Sequence, residues 1–204
     1  MIDVTGWRVV GRGDERICYQ HPDDPARCVK LSRREKAKQT RRELRYFRLL
    51  RRRGVPFTLI PAFFGVVKGE GVIGLEQQLV LDDQGALPPN VSEYLATPLT
   101  PQQASRFWAG LGALKAYLLA YSVVPCDLVM SNLLVIERPD ATTVMLIDGL
   151  GASEFIPLPD YVAFLGRRKI RRKWAKFMAK TVRPRFAQAQ AQAQAQTRAA
   201  DQPR

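Results

Sequence analysis

Histidine occurs once in this chain, at His21, and cysteine only three times. The histidine precedes Pro22-Asp23-Asp24-Pro25, a turn sequence. One imidazole in a turn leaves no histidine-based metal cluster and no Ser-His-Asp or Cys-His arrangement. Cys18, Cys28 and Cys126 are odd in number, widely spaced and set in apolar runs. They are expected to be reduced thiols rather than a disulfide frame or a metal site. No run approaches the ~18 apolar residues of a membrane span. The first residues, Met1-Ile2-Asp3-Val4-Thr5-Gly6-Trp7, lack the basic-then-apolar order of a secretory signal. A cytoplasmic protein is expected, with membrane-peripheral placement as an option. Acids are scarce: 19 against 32 Lys and Arg, a net charge of +13. With 204 residues and 46% apolar composition, the chain can bury one sizeable core.

What the chain does have is a spaced set of chemistry-bearing residues. Asp127-Leu128-Val129-Met130-Ser131-Asn132 precedes an apolar strand, and Asp148-Gly149-Leu150-Gly151 closes a second one, 144–147. Phosphoryl transfer needs those parts in that order. One carboxylate orients an acceptor hydroxyl, while an amide and a second carboxylate hold metal on a nucleotide's phosphates. The pattern is a partial match to the D-L-x-x-x-N and D-F-G motifs of protein kinases.

Such a site also needs an upstream hairpin, a strand lysine and a helix acid. Gly11-Arg12-Gly13 lies between two strand-like runs, where glycine lets backbone approach phosphate; a plain tight hairpin is the alternative. Lys30 sits in the short apolar run Cys28-Val29-Lys30-Leu31, where a solvent-facing lysine is the ordinary reading. Residues 34–53 read as a helix with Thr40, Leu44, Phe47 and Leu50 on one stripe. Glu43 borders that stripe. Either it neutralises neighbouring arginines, or it points inward and pairs with Lys30, which would hold the α- and β-phosphates.

At this point the chain resembles the PhoP regulatory network protein YrbL family, small bacterial proteins with a protein-kinase-like fold. The resemblance covers about 11–180. It is carried by Cys18-Tyr19-Gln20-His21-Pro22-Asp23-Asp24, Arg27-Cys28-Val29-Lys30, Arg42-Glu43-Leu44-Arg45-Tyr46-Phe47, Asn132-Leu133-Leu134 and Ile156-Pro157-Leu158. It implies an α+β, kinase-like fold and a role in envelope-stress or cation-responsive signalling.

Departures from ordinary protein kinases are equally legible. Arg16 stands where the third glycine of the phosphate loop would be, Val129 where a loop lysine would be, and Gly149 where the Phe of D-F-G would be. Only 56 residues follow Asp148, with no Ala-Pro-Glu among them. The expected layout is one domain over 1–180, with a strand-rich lobe of strand, strand, strand, helix and two strands (1–95) and a reduced helical lobe (96–180). Residues 101–121 read as a helix started by Thr100, and 138–141 as the turn joining the strands that bear Asn132 and Asp148.

Basic charge concentrates in 33–53 and in 166–180. In the second segment Ile170, Trp174, Phe177 and Met178 recur at helical spacing under a cationic face. That stripe either packs on the domain, or Trp and Phe sit with the cations at an anionic membrane surface; an acidic protein partner is a further option. Nucleic acid is least favoured, since no binding signature accompanies the charge. Arg171, Arg172 and Lys173 are expected to lie outside the catalytic set. The Ala-Gln alternation within 181–204 reads as a disordered tail or a fraying helix.

The function expected from sequence is ATP- and Mg²⁺-dependent phosphotransfer to a small-molecule, sugar or lipid-linked hydroxyl. Gly11, Gly13 and Lys30 would meet the nucleotide, Glu43 orient Lys30, Asp127 accept the hydroxyl proton, and Asn132 and Asp148 hold metal. The alternative is a pseudokinase-type module that binds an acidic partner or anionic membrane without turnover.

Overall fold

The computed structural model describes residues 2–13, 15–151 and 158–200. The fold is α+β, and the chain divides into two compact units, Met1–Leu87 and Pro88–Arg204. The division falls earlier than residue 95 for a local reason. Pro89 and Asn90 already belong to the second unit, where Val135 N–H donates to the Pro89 carbonyl at 2.9 Å and Asn90 bridges Leu134.

The first unit is a five-stranded antiparallel sheet with one long helix. Its strands are β1 (Val9–Arg12), β2 (Ile17–Gln20), β3 (Arg27–Arg33), β4 (Phe63–Gly69) and β5 (Val72–Gln78), ordered β1-β2-β3-β5-β4. β3 is central, with Lys30 opposite Cys18 on one side and Leu75 on the other. Gly74 permits the close approach of β5, because a Cβ there would collide with the Lys30 carbonyl oxygen. The helix expected over 34–53 forms as a 3₁₀ turn, Arg34–Lys36, followed by α1, Lys38–Arg52. Gly54, at φ +63°, lets the chain leave α1 in the left-handed conformation common at helix ends.

Burial sorts α1 cleanly. Thr40, Glu43, Leu44, Tyr46, Phe47 and Leu50 are inside. Every exposed residue of the helix is Lys or Arg: Lys38, Arg41, Arg45, Arg48, Arg51 and Arg52. Phe47 stacks on Phe63 of β4 with ring centroids 5.1 Å apart. A buried hydroxyl pair, Ser32 with Thr40 at 2.6 Å, fixes α1 against β3.

The second unit is mostly helical around one hairpin. After α2 (Val91–Tyr94) comes α3 (Pro101–Ala120), then β6 (Leu133–Glu137) and β7 (Thr142–Leu146), paired antiparallel. Both helix starts carry full capping boxes, Asn90 with Glu93 and Thr100 with Gln103. Phe107, Leu111, Leu114 and Leu118 of α3 pack inside with Val144 and Leu146 of β7. The Tyr94 hydroxyl donates to Glu137 at 2.6 Å, and burial together with that carboxylate pushes the phenol well above its usual range.

The chain ends in α4 (Leu158–Tyr161), α5 (Ala163–Phe177), a π-helical turn Met178–Val182 and α6 (Arg183–Ala200). Ile170, Trp174 and Phe177 of α5 are buried, so this stripe packs on the domain. The tail expected to be disordered or fraying is helical as far as Ala200. Phe186 meets Trp108 edge-on, Ala189 is buried, and the Gln190 amide donates to the Leu99 carbonyl at 3.0 Å. Of the family-like segments, Ile156-Pro157 lies outside the described residues.

Two glycines of α3 give a paired test. Alanine is better than glycine inside a helix by about 1 kcal/mol. At the exposed Gly112 a Cβ meets nothing within 4 Å, whereas at Gly110 it would strike the Thr142 carbonyl of β7. Gly112→Ala should therefore raise the urea midpoint, and Gly110→Ala should lower stability by about 1–3 kcal/mol. Equal effects would mean that α3 does not sit on β7 as described.

Candidate functional site

In the second unit the three residues chosen from sequence meet at one backbone crossing. β6 starts just after Asn132 and β7 ends just before Ile147-Asp148, so the hairpin register sets those two side by side. Ile147 N–H donates to the Asn132 carbonyl at 2.9 Å. Beyond Asp148 the chain turns at Gly149, φ +72°, and runs against the segment before β6. The Gly149 carbonyl accepts from Cys126 N–H at 2.5 Å and from Asp127 N–H at 3.3 Å. Gly151 N–H continues the contact to the Val124 carbonyl at 2.9 Å.

Glycine is required at 149 twice over. The positive φ disfavours any side chain. A Cβ would also fall 2.7 Å from the Asp127 carbonyl oxygen and 3.1 Å from the Asn132 side-chain nitrogen. Gly149 is therefore bordered by the Asp127 backbone and the Asn132 side-chain nitrogen, and Asp148 precedes it in the chain. Asp148 Oδ1 accepts the Gly149 N–H at 2.5 Å, which orients its carboxylate. Asp127 is exposed, and Asn132 and Asp148 are half-buried. The site thus offers two hard-oxygen donors, a carboxylate and an amide, beside a solvent-facing carboxylate. That donor chemistry fits Mg²⁺, which takes one or two protein oxygens and keeps several waters.

One contact was not anticipated. The Lys173 ammonium of α5 donates to the Cys126 carbonyl, one residue before Asp127. Lys173 does not lie outside the site, as expected from its place in a basic run. It braces the loop that carries Asp127.

In the first unit Lys30 is 8% exposed and Glu43 2% exposed. Ser32, two residues after Lys30, shares its face of β3, and Thr40 lies one turn before Glu43. The Ser32–Thr40 bond thus brings the Lys30 face of β3 toward the Glu43 face of α1. From sequence, Glu43 is expected to pair with Lys30. In the structure Arg16 Nη1 meets Glu43 Oε2, and Glu43 Oε1 makes no hydrogen bond. Arg16 follows the β1–β2 turn and reaches α1 with a multi-donor fork. The missing third glycine is therefore a replacement with a partner of its own.

Gly11 and Gly13 lie on and just beyond β1. Gly13 N–H donates to the Arg16 carbonyl at 2.8 Å, closing the turn, and both glycines are exposed. Neither is crowded: a Cβ would meet its nearest neighbour at 3.7 Å and 3.8 Å. Neither has a positive φ. Packing within the chain does not demand glycine at either position. Next to Lys30, Cys18 and Cys28 are free thiols; their mutual hydrogen bond and burial push the Cys28 thiol far up, so it stays protonated.

A family model described as PhoP regulatory network protein YrbL matches residues 2–182. The chain is similar to the protein named "Uncharacterized protein YrbL" of Escherichia coli (strain K12), at 28% identity over 184 residues, 88% of each chain. The protein of the same name in Shigella flexneri matches to the same extent.

Two substitutions test this geometry. Gly149→Ala should destabilise the protein by about 1–3 kcal/mol through backbone strain and the clash at Asp127; an unchanged melting curve would remove the crossing. Arg16→Met should cost about 3–5 kcal/mol, because it leaves a buried carboxylate unmatched. Adding Glu43→Leu should recover most of that loss. A double variant no more stable than Arg16→Met would show that the two side chains do not act as a pair.

Proposed function

The chain belongs to the PhoP regulatory network protein YrbL family, and we propose that within that network it acts as a kinase-like, ATP- and Mg²⁺-dependent phosphotransferase on a small or lipid-linked hydroxyl acceptor. The observation that carries the proposal is the gathering of Asp127, Asn132 and Asp148 around Gly149. Nothing in the packing of a plain hairpin calls for an exposed carboxylate, an amide and an oriented second carboxylate at that crossing.

Bound Mg²⁺-ATP would supply the phosphoryl group and the charge neutralisation that its transfer needs. Asp148 and Asn132 hold the metal through their oxygens. Asp127 orients the acceptor hydroxyl and takes its proton. From the first unit, Lys30 would serve the α- and β-phosphates, and the uncrowded Gly11 and Gly13 would let a phosphate come close to the backbone of the hairpin. Glu43, which also bonds Arg16, would orient Lys30.

Arg16 favours a second reading. With Glu43 engaged by Arg16 and Val129 in place of the loop lysine, the chain would bind nucleotide without turnover, as a pseudokinase-type module. Nucleotide binding is common to both readings, and turnover divides them.

Saturating Mg²⁺-ATP should raise the melting temperature, since a ligand at a hundredfold excess over Kd stabilises by about 2.7 kcal/mol. Asp148→Asn should abolish the metal-dependent part, and Asp127→Asn should preserve it while stopping any phosphate transfer. No shift in the wild-type chain would eliminate both readings. A shift without ADP release would select the module.

A further inference from the structure

Among the described residues no helix is long and apolar enough to cross a membrane. Four large apolar residues nevertheless stand in the open within seven positions: Leu158 at 51% exposure, Tyr161 at 57%, Val162 at 42% and Phe164 at 69%. They lie on α4 and at the start of α5. Single exposed apolar residues need no explanation, but four together at the head of one helix do.

Apart from Ala163 and Ala175, the other exposed residues of α5 are cationic. Arg167, Arg168, Arg171, Arg172 and Lys176 are exposed, and no acid occurs from 163 to 182. Asp160, the one acid of α4, is buried. Phe164, Arg168, Arg171 and Ala175 follow at i, i+4, i+7 and i+11, so they share one outward face. The opposite stripe is closed: Ile170, Trp174 and Phe177 are inside. The aromatic residues expected to meet a membrane are thus core residues, and a different apolar set is exposed beside the charge.

We propose that α4 and the outer face of α5 dock the protein on an anionic lipid surface. Tyr161 and Phe164 enter the interface, and the arginines meet the headgroups. This deepens the lipid-linked acceptor reading and rests on it only for the location of the acceptor. Three alternatives fit less well. An acidic protein segment would satisfy the arginines but not the apolar head. A second copy on this face would bring the same arginines against one another, since a two-fold contact is self-complementary. Charge alone is not sufficient: α1 has six exposed cations and no exposed apolar residue, and thus no anchor.

The test is co-sedimentation of the full chain, without nucleotide, with vesicles of neutral phosphatidylcholine or of phosphatidylcholine with anionic phosphatidylglycerol. The wild type should bind the anionic vesicles, weaken as salt rises and ignore the neutral ones. Tyr161→Ser with Phe164→Ser should reduce partitioning about tenfold or more, at unchanged melting temperature. Arg168→Glu with Arg171→Glu should reduce it more than about a hundredfold, at roughly fivefold per unit of charge. Arg167 and Lys173 are left intact because they bond the Leu119 and Cys126 carbonyls. The charge-matched control, Arg45→Glu with Arg48→Glu on α1, should lose far less. The proposal falls if the wild type does not bind anionic vesicles. It falls too if the serine pair binds like wild type, or if the α1 control drops as far as the α5 reversal. Sedimentation velocity showing a dimer that the serine pair dissociates, with no vesicle binding, would assign the patch to self-association instead. Any of these failures, with the Mg²⁺-ATP shift intact, would leave the phosphotransfer reading standing.

Discussion

The second unit's chemistry hangs on one backbone crossing. The Gly149 carbonyl binds two successive amides, and the residue behind it has no room for a methyl group. The chain segments before β6 and after β7 can approach that closely only at a glycine. Because they do, residues 127, 132 and 148 are held by main-chain geometry rather than by long side-chain contacts. That makes for a rigid frame: backbone hydrogen bonds fix where the carboxylates start, and only short side chains remain to be ordered. It also explains why Gly149 replaces the Phe of the common motif without scattering the site. Asp148 stays beside the crossing, and Gly149 makes the crossing possible.

A second constraint governs the first unit. A carboxylate buried as deeply as Glu43 must be matched, since leaving such a charge alone costs several kcal/mol. Arg16 supplies the match from the end of the β1–β2 turn. The consequence is mechanical as well as electrostatic. The hairpin bearing Gly11 and Gly13 is tied to α1 at one end. A guanidinium in place of a third glycine therefore gives the hairpin an attachment. Glu43 Oε1 makes no hydrogen bond, which leaves the carboxylate a second acceptor position inside the unit.

Much of this was legible because it is local. The succession of strands and helix along the first unit, the long helices and the β6–β7 turn follow from periodicity and punctuation. Asp127, Asn132 and Asp148 lie near the two ends of one hairpin because a short hairpin forces neighbours in sequence to be neighbours in space. What sequence did not reveal was either distant or disguised. Arg16 and Glu43 are 27 positions apart, and Lys173 and Cys126 are 47 apart; no periodicity connects such residues. The Ala-Gln alternation hid a helix, since its period of two conceals a 3.6-residue pattern. Both residues are good helix formers, and Ala189 and Gln190 find contacts. The exposed apolar head of α5 was missed because apolar residues near a basic helix were assumed to be those of its stripe.

α5 is where these strands of reasoning converge. One helix has to satisfy three surfaces at once. Ile170, Trp174 and Phe177 fill the core. Lys173, at the border of that stripe, reaches back to the Cys126 carbonyl and steadies the loop next to Asp127. Phe164, Arg168 and Arg171 face outward. A 15-residue helix offers about four turns, and here nearly every turn contributes to each side. The basic run is therefore not uniform charge. Its members divide into a lysine that belongs to the site, an arginine that ties the helix to the end of α3 through Leu119, and arginines that are free to meet something else. Net charge counts all of them equally, whereas burial and bonding separate those that hold the fold together from those that stay exposed.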